Sequence, residues 1–209
     1  MKRLKIEKKK ITKNIYLLIF KNQYDITSTF LRFQEFYESP KFQGKIFTLE
    51  EYKKWYSKLK GGKFTYYTDW NGFNIPSKVL IPFYEGKFNP LSEKEKQILD
   101  LFKNDKGKYY IIAIHKRDKN YKETLKHEIA HGLFYTQPKY KSVIIKLIKR
   151  FKLEEAKKTL LKAGYSKEVL DDEIQAYSID SSGKLKPSIP RELKKEIRKI
   201  FLKFYKNTN

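Results

Sequence analysis

The stretch that most constrains the fold is "LKHEIAHGLF", which begins at Leu125 and has the apolar spacing of a helix. Leu125, Ile129 and Leu133 recur every four residues and give such a helix one apolar face. His127 and His131 are also four residues apart, so their imidazoles project from one side, about one turn from each other. We therefore predict a helix that packs through one face and presents two histidines on another.

The residue between these histidines adds a chemical argument. Glu128 directly follows His127, so its side chain lies about 100° further round the helix. From there its carboxylate can reach a water on a metal without taking a ligand position. Zinc lowers the pKa of such a water, and a nearby carboxylate can take its proton. This H-E-x-x-H arrangement predicts a metal site in which Glu128 is the general base.

A catalytic zinc site needs a third protein ligand. The chain has no cysteine, so that ligand must be His, Asp or Glu. We expect Glu173, because it interrupts an otherwise apolar helical stripe, and a carboxylate that faces a core is costly unless it is paired or binds a metal. Two alternatives remain: an interior Glu173 that is salt-bridged instead of metal-bound, and His115 as the third ligand. Glu154 and Glu155 are further candidates, which we expect to be solvent-exposed at a helix start.

These residues resemble the gluzincin group of zinc metallopeptidases. The resemblance rests on "HEIAH" and on a second helix bearing "DDEIQAY", and it covers roughly residues 108–180. It implies that His127, His131 and Glu173 hold one Zn²⁺ ion per chain. It also implies that Glu128 acts as the base and that the chain hydrolyses peptide bonds of a peptide or protein substrate.

The chain departs from that pattern in two places. Some gluzincins have an acidic residue four positions after the third ligand; here that residue is Tyr177, with Asp180 one turn further on, and either could orient an imidazole. The catalytic residue that stabilises the oxyanion is not evident, and the candidates are Tyr177, Tyr135 and His115. The resemblance also places the strand Tyr109–His115 at the edge of a cleft, where it would bind an extended substrate by strand addition.

Local patterns predict strands in the N-terminal half and helices in the C-terminal half. Capping boxes at Thr48 and Ser92 each predict a helix start. We predict strands at 15–20, 63–70 and 108–115, a loop at "NGFNIP", and helices at 26–39, 139–151, 153–163 and 166–179.

This order predicts an α+β protein with a zincin-like fold, in which a small mixed sheet packs against the motif helix and a C-terminal helical half. Residues 108–209 would form the zincin-like catalytic core. Residues 1–107 would form an N-terminal α+β part that belongs to the same domain or covers the core.

The formal net charge of +23 raises a different function, that of a basic nucleic-acid-binding protein with a structural metal or none. The positive charge is almost all lysine, with only six arginines, whereas base and phosphate recognition favours arginine. We therefore favour a solvated lysine surface. A third hypothesis is a latent or non-proteolytic metalloprotein, whose N-terminal half or tail at 184–209 plugs the cleft.

The N-terminus is basic and contains one short apolar run, Ile15–Phe20. Six residues are too few for the core of a signal peptide or for a membrane span. We therefore expect a cytoplasmic protein with no membrane partner.

Overall fold

The computed structural model describes residues 3–117, 121–179 and 185–206, with the backbone alone described for 121–124. These residues form a mixed α+β structure with a small four-stranded mixed sheet, which confirms the predicted fold class. The zincin-like arrangement within that class stays a prediction.

The chain divides into two compact units. The first comprises Met1–Lys9 and Tyr16–Lys119, and the second comprises Lys10–Ile15 and Asn120–Asn209. The strand that opens the expected catalytic core therefore belongs to the first unit, and the motif helix belongs to the second.

The sheet has the strand order β1-β2-β4-β3. Its strands are β1 (Glu7–Thr12), β2 (Ile15–Phe20), β3 (Gly72–Pro76) and β4 (Tyr110–His115). All six residues of β4 are buried, as is typical of an apolar strand at the centre of a sheet. Strand β3 pairs with β4 in antiparallel register, with Phe73 opposite Ala113.

The central position of β4 corrects one expectation. Because β4 lies between β2 and β3, its backbone already pairs on both sides. Strand addition needs an edge strand with unpaired backbone groups. The expectation that Tyr109–His115 binds an extended substrate in this way is therefore wrong.

The first unit contains five α-helices among the described residues. They are α1 (Gln23–Glu38), α2 (Leu49–Leu59), α3 (Tyr66–Asp69), α4 (Ile81–Tyr84) and α5 (Glu93–Phe102). Both predicted capping boxes are present: Thr48 pairs reciprocally with Glu51 at the start of α2, and Ser92 pairs with Glu95 at the start of α5.

Two local predictions in this unit are wrong. The aromatic stretch at 63–70 contains the short helix α3 rather than a strand, and "NGFNIP" contains strand β3 rather than a loop. Tertiary packing explains both results. Tyr66 is fully buried against other aromatic rings, and Asn74 of β3 accepts a hydrogen bond from the Tyr110 hydroxyl on the neighbouring strand.

Strand β1 was not predicted, because "EKKKIT" lacks a clear strand pattern. Its position at the end of the strand order explains its composition, since lysines on an edge strand discourage pairing with other chains.

A buried ion pair joins α1 to α5. The Arg32 guanidinium donates to both carboxylate oxygens of Glu95, at 2.7 and 2.6 Å. Its Nη1 and Nη2 atoms also donate to the carbonyls of Phe88 (2.9 Å) and Pro90 (3.2 Å), respectively. Every oxygen of Glu95 is therefore bonded, and the charge is matched within the unit.

The second unit is all-helical over residues 121–206 as far as these are described, as predicted for the C-terminal half. Its helices are α6 (Tyr121–Thr136), α7 (Pro138–Ile148), α8 (Glu154–Lys162), α9 (Leu170–Ile179) and α10 (Arg191–Lys206). Helix α9 packs against α6, α7, α8 and α10 and is therefore the central helix of this unit.

Local chemistry sets the helix boundaries of this unit. Pro138 occupies the first turn of α7, where its missing N–H is not needed. Gly164, with a φ of +98°, follows α8 and takes the left-handed conformation that closes a helix. Asp171, Asp172 and Glu173 lie in the first turn of α9, where negative charge is favoured by the helix dipole.

Within the described part of the chain, no helix combines the length and the apolar character that crossing a membrane requires.

Candidate metal centre

Helix α6 brings two imidazoles together. The Nε2 atoms of His127 and His131 lie 3.1 Å apart, and the ring centroids lie 4.8 Å apart. His131 is buried and His127 is partly buried. The predicted i, i+4 arrangement therefore places two ring nitrogens at one point on the helix surface.

Helix α9 supplies a carboxylate to the same point. Glu173 is 9% exposed, and its Oε1 lies 3.7 Å from Nε2 of His131. The other oxygen, Oε2, is buried and has no hydrogen-bond partner. A buried carboxylate oxygen without a partner carries a desolvation cost and needs an explanation.

The three side chains fit a divalent metal. One ligand atom from each of His127, His131 and Glu173 lies within 4.8 Å of the other two. In a tetrahedral zinc site with bonds of about 2.0–2.1 Å, ligand atoms are roughly 3.3 Å apart. The distance of 3.1 Å between Nε2 of His127 and Nε2 of His131 and that of 3.7 Å between Nε2 of His131 and Oε1 of Glu173 bracket that value. Two imidazoles and one carboxylate are also the donor set of an open zinc site.

Asp172 holds the second ring nitrogen of His131. Its Oδ1 lies 2.9 Å from His131 Nδ1, on the side of the ring opposite Glu173. Adjacent residues of α9 thus contact the two nitrogens of one imidazole. This bond places a proton on Nδ1 and leaves Nε2 to face the candidate site.

The sequence had pointed to other residues for that role. Tyr177 instead makes a T-shaped ring contact with His127, with centroids 4.9 Å apart, and its hydroxyl lies 3.1 Å from that of Tyr165. Asp180 lies outside the described residues. The sequence feature that could have identified Asp172 as the partner of His131 is its position: it is an acidic residue directly before the expected ligand Glu173.

Burial and charge shift the proton affinities of the protein groups. Burial alone lowers the pKa of His131, but Asp172, Glu173 and Glu128 outweigh this effect and raise that pKa to about 10. Burial raises the pKa of Glu173 to about 7; His131 opposes this shift, and Asp172 and Glu128 add to it. A metal that binds here must therefore displace protons.

Glu128 lies beside the ligand group without belonging to it. Its negative charge raises the pKa values of His131, Glu173 and Tyr177, so it acts electrostatically on both helices. It is partly buried in α6. This is the relation to the ligands that a general base requires, adjacent to them but separate.

The other residues that we predicted as possible metal ligands or oxyanion-stabilising groups are not part of this group of three side chains. His115 ends β4, where it is buried in the first unit, and it is not among the three grouped side chains. Glu154 and Glu155 are exposed in the first turn of α8, as expected. Tyr135 is partly buried in α6. Within the described residues, the side chains that come close enough together to hold a metal ion are those of His127, His131 and Glu173, the three that we predicted.

Comparison with protein-family models, with curated proteins and with solved structures finds no match. The class of protein is therefore defined by its own fold and geometry. It is a mixed α+β protein with a helix-borne group of two histidines and one glutamate that can hold a metal ion.

Proposed function

We propose that the protein is a zinc-dependent metallopeptidase of the gluzincin type. The observation that carries the proposal is the buried carboxylate of Glu173, whose Oε2 has no partner while its Oε1 faces Nε2 of His131. A zinc ion held by Glu173, His127 and His131 would satisfy that carboxylate. With three protein ligands, a fourth position stays open to water or substrate.

Zinc at this position would supply Lewis acidity to a substrate carbonyl and lower the pKa of water. Glu128 would take the proton of the attacking water and deliver it to the leaving amine. Its placement beside the ligands, rather than among them, supports this role. Tyr177, whose partly buried ring packs against His127, would donate a hydrogen bond to the oxyanion.

The test is peptide cleavage by the zinc-loaded protein, read by mass spectrometry on a mixture of unstructured peptides. We expect cleavage by the wild type. Glu128→Gln should retain zinc and lose activity by roughly 10²- to 10⁴-fold, since a positioned base contributes about that much. Equal cleavage by both proteins would contradict the role of Glu128. Zinc binding without cleavage would favour the latent metalloprotein.

Nucleic-acid binding is a second candidate, and one observation favours it. Basic side chains of α10 line a shallow concavity of about 370 Å³ in the second unit: Arg191, Lys194, Lys195, Arg198 and Lys199. In the first unit, by contrast, several lysines pair with acidic residues three positions away on the same helix, as in Lys53–Glu50 and Lys96–Glu93.

Affinity for a DNA or RNA duplex, measured against salt concentration, tests this second candidate. A steep loss of affinity with salt, reduced when Lys194, Lys195 and Lys199 are changed to Gln, would support it, because each phosphate contact adds to the salt slope. Affinity that the substitutions leave unchanged would exclude α10 as the binding face.

A further inference from the structure

Behind the partly buried Asp172, a series of hydrogen bonds continues into the interior, away from the candidate metal centre. The Tyr140 hydroxyl donates to Oε1 of Gln175 at 2.8 Å. The Gln175 amide nitrogen donates to Oδ1 of Asp172 at 2.9 Å. The same Asp172 oxygen lies 2.9 Å from Nδ1 of His131. This series of hydrogen bonds therefore joins helices α7, α9 and α6 and ends on His131, a predicted metal ligand.

The chemistry of the groups fixes the direction of every bond. A carboxylate can only accept, so Gln175 must turn its NH₂ group toward Asp172 and its oxygen toward Tyr140. A flipped amide would set two oxygens against each other at Asp172. The same carboxylate requires a proton on Nδ1 of His131, which keeps the Nε2 lone pair available when zinc binds.

The two residues of the hydrogen-bond series that lie furthest from the candidate metal centre are shielded from water. Tyr140 and Gln175 are both 0% exposed. Burial, and then the charge of Asp172, raises the pKa of Tyr140 well above its usual range, so its hydroxyl remains a donor at neutral pH. Hydrogen bonds in such surroundings are strong, and a broken one leaves a buried polar group unsatisfied.

We propose that Tyr140 and Gln175 are positioning residues for the metal centre: through Asp172 they fix the orientation of the His131 imidazole and thereby set metal affinity. This inference rests on the proposed zinc site. Neither residue is one of the three grouped side chains. Their effect is transmitted through one carboxylate oxygen, which receives both the Gln175 amide and the His131 ring.

Zinc affinity, measured by competition with a chromophoric chelator, gives the first readout. Loss of an outer partner of a metal ligand typically weakens metal binding 10- to 100-fold. We expect Gln175→Met to weaken zinc binding about tenfold and Tyr140→Phe severalfold. In the Gln175→Met background, Tyr140→Phe should add nothing, because the chain is already broken. Tyr66→Phe, a buried tyrosine of the first unit, is the matched control and should bind zinc like the wild type.

A second readout does not need zinc. In the protein treated with chelator, the His131 Nδ1–H should give a downfield proton resonance that exchanges slowly with water, since Asp172 holds it. Gln175→Met should accelerate that exchange at least severalfold. A folded Gln175→Met variant with unchanged zinc affinity and unchanged exchange would overturn the inference. If the wild type binds no zinc, the proposed function fails, and the exchange rate alone still decides whether the chain orients His131.

Discussion

Glu95 of the first unit and Glu173 of the second are buried carboxylates with opposite surroundings. Glu95 of the first unit receives two hydrogen bonds from Arg32, and its Oε2 also caps the start of α5 at Ser92. Glu173 of the second unit faces His131 at 3.7 Å through one oxygen and has no partner for the other. Both residues are at most 9% exposed.

This difference in hydrogen bonding distinguishes a carboxylate with a structural role, Glu95, from one that is suited to bind a metal ion, Glu173. A buried charge is tolerated when a matched partner and full hydrogen bonding offset its desolvation. Glu95 meets that condition with protein groups alone. Glu173 does not, and its pKa is raised because the cost of burying its charge is not offset by protein groups. The second unit therefore holds a carboxylate that a cation would stabilise, next to two imidazole nitrogens.

The largest expected effect on stability comes from Arg32→Met. This change leaves Glu95 buried without its cation, which costs about 3–5 kcal/mol of unfolding free energy. Urea unfolding measures it. The double variant Arg32→Met/Glu95→Gln should recover part of the loss, and zinc affinity should be unchanged in every variant that folds. A cost below about 1 kcal/mol would show that the pair is not the matched charge described here.

Glu173→Gln should act in the opposite direction. The pKa of Glu173 is raised from 4.5 to about 7, so the fold favours the protonated carboxyl; this contribution to stability is fully present below pH 4.5 and is lost as pH rises through 7. In chelator, Glu173→Gln should therefore stabilise the protein by about 1–3 kcal/mol at pH 8 and change little at pH 4.5. Urea unfolding at both pH values tests this. Destabilisation at pH 8 would mean that protein groups already satisfy the Glu173 carboxylate.

The smallest effect is expected at Glu154 and Glu155, which are exposed carboxylates of the same unit. Glu154→Gln and Glu155→Gln should each change unfolding free energy by no more than about 0.5 kcal/mol and leave zinc affinity unchanged. They are the matched controls for Glu173→Gln. Weaker zinc binding in either variant would place the third ligand on α8 instead of α9.

Much of the candidate site followed from local spacing. The i, i+4 histidines and the acidic residue that interrupts an apolar stripe are features of single helices, and the structure brings His127, His131 and Glu173 together. The chain from Tyr140 through Gln175 was missed, because its members are 35 residues apart and their pairing depends on how α7 packs against α9.

The errors in the fold have a similar origin. Aromatic residues at 63–70 have strand propensity, but burial of Tyr66 in an aromatic cluster fixes a short helix there. "NGFNIP" has the composition of a loop, and its pairing with β4 makes it a strand. The Arg32–Glu95 pair spans 63 positions, so no local pattern could have identified the partner.

The most direct test of the metal centre is the zinc content of purified protein after zinc loading and dialysis, measured by elemental analysis. His127→Ala and Glu173→Ala would be measured beside the wild type, with Glu155→Gln as the control. The account predicts about one zinc per chain in the wild type and control, and near-complete loss in the other two variants. A wild type that holds no zinc, or a Glu173→Ala variant that holds it as tightly as the wild type, would contradict the three-ligand centre.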